Sequence, residues 1–364
     1  MKSLRESLFL GAVVLMGASL SNLGVRAWGH GSATAAQEQK PPAAPQQGGP
    51  VIIRVPVDQV IVPVTVKDGA GRLVPDLRRD EFRIFEDNVE QKIASFIAEP
   101  LPLSMVVLVD NDLQSKDARP VAESLRAIVA GLSVSDETMV CRFDQFFHEG
   151  KAFITDQDKL LTELKRTQLD EEPSVAPPSP AVNNGPSING HSSMGDVPSV
   201  AGATMNLKGQ PTKALDDAVY AAAQLLKERD PERRRRKIIF LISDGVNAPK
   251  FNKYNYDTTI KELLRYNIAV YGIGVGSAYF DRRFERLSRY AKDTGGDVYY
   301  GMKSRAMEEL YSRVTEEARN QYTLAYAPAG TDRGAEYHSI EVRVRREGLT
   351  ILAREGYYSG ALPR

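Results

Sequence analysis

Two apolar segments far apart in this chain each run straight into an acid. Leu103–Val109 ends at Asp110 and continues Asn111-Asp112-Leu113-Gln114-Ser115, and Ile238–Ile242 ends in Ser243-Asp244-Gly245. Near-continuous apolar runs of this length read as strands buried on both faces, as in a parallel sheet covered by helices. Parallel strands of an open α/β sheet deliver their last residues to one edge, where ligands bind. The pair therefore predicts two carboxylates converging on one crevice.

The sequence around these strands alternates. An amphipathic helix with Val121, Leu125, Ile128, Val129 and Leu132 on one face follows the first strand, then strands around Cys141 and Lys151–Ile154. A helix over Lys213–Lys227 precedes the second acid-tipped strand. Beyond it come a helix at Thr258–Tyr266, a strand at Ile268–Val275, a helix at Arg282–Lys292 closed by Gly295 or Gly296, a strand at Asp297–Tyr300, and a last helix N-capped by Ser304. This order predicts a Rossmann-like doubly wound, mostly parallel sheet over about 100–320.

On both sides of the block the texture is β. Val60–Val66, Phe82–Phe85 and Gln91–Ile97 precede it; Tyr322–Tyr326, Ser339–Arg345 and Leu349–Arg354 follow, with Glu347-Gly348 as a hairpin turn. Two separate small β modules would each struggle for core. The flanks, 51–99 and 321–364, are therefore expected to form one small β-sandwich into which the α/β domain is inserted.

The ends and interruptions have their own composition. Lys2 and Arg5 precede an apolar run, Leu8 to Leu20, with Ala33-Thr34-Ala35 as a cleavage site. Residues 1–36 read as a signal peptide or an uncleaved anchor, and 37–50 as a linker. Residues 168–210 are Pro-, Asn- and Gly-rich without periodicity, a loop expected to be disordered and to emerge at the same edge as the acids. It reads equally as a contact element and as a tolerated insertion.

Charge and chemistry exclude several classes. Lys+Arg and Asp+Glu are 47 each, so no net basic field points to nucleic acid. The dense run Arg233–Arg236 reads as a solvated turn. Cys141 is the only cysteine, which excludes an internal disulfide, and its strand context predicts a buried thiol. The four histidines, His30, His148, His191 and His338, show no metal-ligand spacing and argue against zinc. Gly272-Ile273-Gly274-Val275-Gly276 lies largely inside a strand, so close packing explains it better than phosphate binding. Asp216 and Asp217 read as dipole-stabilising residues of a helix start. The pairs Tyr299-Tyr300 and Tyr357-Tyr358 read as sheet-edge packing.

The ordered pieces VIVPVTVKDGAGRLVPDLRRDEFRIFEDNVEQKIASF, LPLSMVVLVDND, ALDDAVYAAA, KIIFLISDG, AVYGIGVGS, TGGDVYY, QYTLAYAP and ILAREGYY, spread from about residue 51 to 358, resemble the von Willebrand factor type A domain and, with the flanks, a bacterial branch of exported proteins related to it. The resemblance implies a metal-ion-dependent adhesion site built from Asp-x-Ser-x-Ser, a later Thr and a later Asp, holding magnesium that completes its shell with a partner's carboxylate. Here Asp110 matches the first Asp and Asp244 the last. Asp112 and Gln114 stand in place of the two Ser, while Lys213 aligns with the Thr position and Thr212 lies one residue early.

Three readings of the crevice follow. Asp110, Asp112 and Asp244 hold Mg2+ or Ca2+, with Gln114 lending an amide oxygen and Thr212 a hydroxyl. Alternatively, Lys213 neutralises the acids without a metal, or the acids only cap helix N-termini. The function expected from the resemblance is a non-enzymatic, exported protein-binding module, periplasmic or secreted, whose partner is a protein at the cell envelope or outside it. It touches membrane only through the N-terminal segment if that is uncleaved. The alternatives are a metal-assisted hydrolase and a purely structural envelope protein.

Overall fold

The computed structural model of the chain describes residues 59–167, 213–227, 229, 235–276, 286–328 and 337–359. The expected signal segment, the linker, the loop at 168–210 and Thr212 lie outside the described residues.

Before the α/β block run β1 (Val60–Lys67), β2 (Phe82–Glu86), β3 (Val89–Gln91) and β4 (Ile93–Ile97). The block holds β5 (Leu103–Asp110), α1 (Ser115–Ser124), β6 (Glu137–Phe143), β7 (Phe147–His148), α2 (Gln157–Lys165), α3 (Leu215–Lys227), β8 (Arg236–Ser243), α4 (Tyr256–Arg265), β9 (Ile268–Gly274), α5 (Arg286–Thr294), β10 (Val298–Tyr300) and α6 (Ser304–Arg319). After it come β11 (Tyr322–Tyr326), β12 (Tyr337–Val344), β13 (Thr350–Ala353) and β14 (Gly356–Tyr358).

The central sheet has the order β10-β9-β8-β5-β6-β7. All its pairings are parallel except β6–β7. Every residue of β5 and β9 is buried, as the apolar runs require. One face packs on α1, α2 and α6 through Leu103, Met105, Val107, Phe240, Tyr271 and Tyr311, the other on α3, α4 and α5 through Val106, Leu108, Leu215, Ile239, Leu263 and Tyr290. Cys141 is buried, and removal from water pushes its thiol up to about 11. The expected strand at Lys151–Ile154 is reduced to one bridge, Thr138 with Ile154; the strand beside β6 is instead β7.

The flanks form two four-stranded sheets, β13-β1-β11-β4 and β14-β12-β2-β3. Each contains strands from both ends of the chain, and they enclose one core of Val60, Val62, Val64, Phe82, Ile84, Leu324, Ile340 and Val342. That is the sandwich the sequence predicts, and both layers sit with the α/β block in one unit, Val55–Arg364. Among the described residues no helix is long and apolar enough to cross a membrane.

Three local expectations are corrected. Glu347-Gly348 does not close a hairpin: β12 pairs with β2 and β14, whereas β13 pairs with β1, so the turn carries the chain from one sheet to the other. Ser304 is the first residue of α6 and Lys303 its cap, without a side-chain capping bond. The basic run does not end in solvent. Arg236 is buried and donates to the Gln321 carbonyl, and Arg235 donates to the carbonyls of Leu103 and Ser135. Burial lowers the Arg236 guanidinium to about 10.

Candidate functional site

β5 lies between β8 and β6, so the chain leaves β5 to one side and returns on the other. The carboxyl ends of β5 and β8 thus flank the point where strand order reverses, the position where open α/β sheets bind ligands. Asp110 is the last residue of β5, and Asp244 follows β8. The sequence-predicted convergence is real. What joins the acids is Lys213.

Lys213 Nζ donates to Asp110 Oδ2 at 3.0 Å and to Asp244 Oδ2 at 2.8 Å. The lysine is 3 % exposed and Asp110 0 %. Two loops place the lysine two residues ahead of α3. The Ala248 N–H donates to its carbonyl at 2.9 Å, and the Ala214 N–H donates to the Asp144 carbonyl at 2.9 Å. Asn247 secures the helix start by accepting from the Leu215 N–H at 3.1 Å.

Ser243, the last residue of β8, completes the cluster. Its Oγ donates to Asp110 Oδ2 at 2.7 Å and accepts from the Gly245 N–H at 3.1 Å. Asp110 Oδ1 accepts from the Asp112 N–H at 3.0 Å, and Asp244 Oδ1 from the Val246 N–H at 3.0 Å. Burial pushes the Asp110 carboxyl up to about 6, against the pull of Lys213 and with the repulsion of Asp244. Burial works against the Lys213 ammonium, but the two acids outweigh it and its pKa is raised.

Of Asp112 and Gln114, the cluster takes the Asp112 backbone N–H, on Asp110 Oδ1. Both side chains are exposed, and Gln114 serves as the extended residue before α1 without a side-chain cap. A magnesium ion needs oxygen ligands in near-octahedral geometry at ~2.0–2.1 Å. Here the ammonium already engages Asp110 Oδ2 and Asp244 Oδ2, and positions 112 and 114, where the resemblance expects hydroxyls, present exposed side chains. Among the described residues the donor set does not fit a divalent ion. Nor are the acids mere helix caps, since both are spent on Lys213.

Asp216 and Asp217 do more than complement a helix dipole. Asp216 is buried and accepts from Tyr290 at 2.7 Å and Asn247 at 2.9 Å. Asp217 accepts from the N–H groups of Lys253 and Tyr254. Both pin the loop after β8 to α3. Gly272 in β9 and Gly276 just beyond it pack closely, as expected: a Cβ on Gly272 would meet Val298 at 3.1 Å, and one on Gly276 would meet Asp117 at 2.6 Å. Two large apolar side chains stand exposed at the same sheet edge on opposite sides of the crevice. Phe146, between β6 and β7, is 67 % exposed, and Met302, just after β10, is 45 % exposed.

A family profile described as the von Willebrand factor type A domain matches residues 188–313, about a third of the chain. The chain carries a von Willebrand factor type A domain. Domains of this type are generally protein-interaction modules, and many hold a divalent metal. No curated protein matches the sequence. Among solved structures, von Willebrand factor type A from Catenulispora acidiphila is similar at 9 % identity, with 82 % of this chain and 74 % of that chain covered and a TM-score of 0.40. An aerotolerance-related membrane protein from Bacteroides fragilis is similar at 12 % identity, 59 % and 99 % coverage and a TM-score of 0.39. The manganese-loaded TRAP protein of Plasmodium vivax is similar at 12 % identity, 75 % and 97 % coverage and a TM-score of 0.36.

Proposed function

We propose that this chain is an exported, non-enzymatic protein-binding module whose von Willebrand factor type A domain works without an ion in its crevice. The observation that carries the reading is the Lys213 ammonium bridging Asp110 and Asp244 at the strand-order reversal. A fixed internal cation supplies the neutralising charge that a metal would supply, but it has no open coordination position to offer a partner's carboxylate. Binding then rests on the shape and apolar character of the sheet edge. Phe146 and Met302 are suited to anchor a partner that presents apolar side chains there.

Two features support the non-enzymatic part. The crevice acids each accept from Lys213, and the hydroxyl of Ser243 is fully buried with its proton directed at Asp110. Neither arrangement leaves a nucleophile and base facing an incoming substrate. Export is supported by Lys2, Arg5, the apolar run Leu8–Leu20 and Ala33-Thr34-Ala35.

A pull-down from the native cell envelope, followed by affinity measurement in magnesium and in EDTA, tests the reading. The same affinity in both conditions is expected, with a loss of at least about tenfold in the double variant Phe146→Ser, Met302→Ser. Binding abolished by EDTA, or unaffected by that double variant, overturns it.

A further inference from the structure

The sandwich holds a second cluster, remote in sequence from the crevice. Glu86 ends β2, Asp87 begins the turn into β3, and His338 lies on β12, whose Ile340 pairs with Glu86. The turn is tight, with Asp87 and Asn88 both at positive φ, 46° and 67°. His338 Nδ1 stands 2.8 Å from Asp87 Oδ2 and 3.7 Å from Glu86 Oε1. One ligand atom from each of the three residues lies within 4.8 Å of the others.

The surrounding groups orient these side chains. Ser339 donates to Asp87 Oδ1 through its N–H at 2.8 Å and its Oγ at 3.0 Å, leaving Oδ2 toward the histidine. Tyr357 donates to Glu86 Oε1 at 2.6 Å and stacks its ring on His338, with centroids 5.2 Å apart. Holding Asp87 Oδ1 so that Oδ2 is presented is how outer-shell partners prepare metal ligands. A second observation concerns the burial of Glu86. Glu86 is 8 % exposed, and its Oε2 is fully buried with no hydrogen-bond partner. A buried carboxylate oxygen without a partner is costly. The nearby cation Arg354 does not relieve it, because its guanidinium donates to Asn267 at 2.8 Å and to the Leu264 carbonyl.

We infer that Glu86, Asp87 and His338 form a binding site for a divalent transition-metal ion, zinc by the chemistry of its donors, with water completing the shell. One imidazole nitrogen and two carboxylates suit zinc, at ~2.0–2.2 Å from each ligand. Two carboxylates balance the ion's charge. The ion would tie together β2, its turn and β12, which come from opposite ends of the chain.

Zinc titration of the untagged full chain, followed by calorimetry and by the imidazole proton resonances of its four histidines, tests the site. One equivalent of zinc is expected to bind, to shift the His338 resonances and to raise the melting temperature. His338→Gln and Asp87→Asn are each expected to weaken binding by about tenfold or more. His148→Gln is expected to leave binding unchanged. Absence of zinc binding, unchanged affinity in His338→Gln, or loss of affinity in His148→Gln overturns the proposal. The result is independent of the crevice, since magnesium and EDTA effects on partner binding are read separately there.

Discussion

Lys213 balances one positive charge against two carboxylates in a place with almost no water. Removing one partner of a buried ion pair leaves the rest uncompensated and typically costs about 3–5 kcal/mol. Lys213→Ala is therefore expected to lose stability of that order in urea denaturation, and the vacated space between Asp110 and Asp244 becomes a cation site. Magnesium or calcium should raise the melting temperature of Lys213→Ala and not that of the natural chain; an equal response in both would refute the substitution of lysine for ion. Asp110 adds a pH signature. Its folded pKa of about 6 exceeds the ordinary 3.8, so between those values the folded protein keeps a proton that the unfolded chain has released. This group then makes stability fall as pH rises through that window, by at most about 1.4 kcal/mol per unit. The stability difference between the natural chain and Asp110→Asn, followed from pH 4 to pH 7, should carry this slope. A pH-independent difference would show that burial does not govern Asp110. At this scale the two acids are legible in the sequence because each terminates an apolar strand, and Lys213 is legible because it aligns with a ligand position. The cluster of Glu86 and His338 is not, because residues brought together by cross-strand pairing over such a separation share no local spacing.

Among the elements, periodicity reads the strands and helices well and their partners less well. β5 and β8 announce themselves by unbroken apolar runs, and α3 by the register of Leu215, Ala218, Val219, Ala222 and Leu226, all buried. The turn at Glu347-Gly348 is misread as a hairpin because a glycine at positive φ serves a sheet-to-sheet crossing as well as a hairpin; Gly348 has φ 74°. Two glycines with similar backbone angles should therefore respond very differently to substitution. A Cβ on Gly348 meets nothing within 4 Å, so Gly348→Ala should cost only about 1–2 kcal/mol for the left-handed conformation. A Cβ on Gly295, the residue after α5 at φ 79°, would stand 2.6 Å from the Arg354 backbone nitrogen. Gly295→Ala should cost distinctly more, since β13 or α5 must move. Equal midpoints for the two variants in chemical denaturation would contradict this packing.

Across the whole molecule, the two layers are joined by a buried polar connection that no sequence pattern reveals. Lys67, at the end of β1, donates to Asp297 at 2.7 Å and Tyr299 at 2.7 Å and lies 2.8 Å from Glu317. Tyr299 also donates to Glu317, so one half of the Tyr299-Tyr300 pair is more than sheet-edge packing. Lys67→Met is expected to cost about 3–5 kcal/mol by leaving Glu317 and Asp297 short of a cation. It should also loosen the coupling of sandwich to α/β block, seen as a broadened or split thermal transition in calorimetry; a sharp transition shifted by less than about 1 kcal/mol would show the connection to be dispensable. The insertion architecture is legible as a whole because β-rich texture brackets the alternating block. The pairing order within it is not, since several antiparallel arrangements bury the same alternating residues.

That bracketing also decides how the molecule carries load. The strands that enter and leave the α/β block, β4 and β11, are hydrogen-bonded to each other, and β11 is bonded in turn to β1. A pull applied at Gln59 and Ser359 therefore reaches the sandwich first and passes through its interstrand hydrogen bonds. The path through the block is short-circuited by the pairing of β4 with β11. Under tension the covalent path through the block is bypassed for as long as β4 and β11 stay paired.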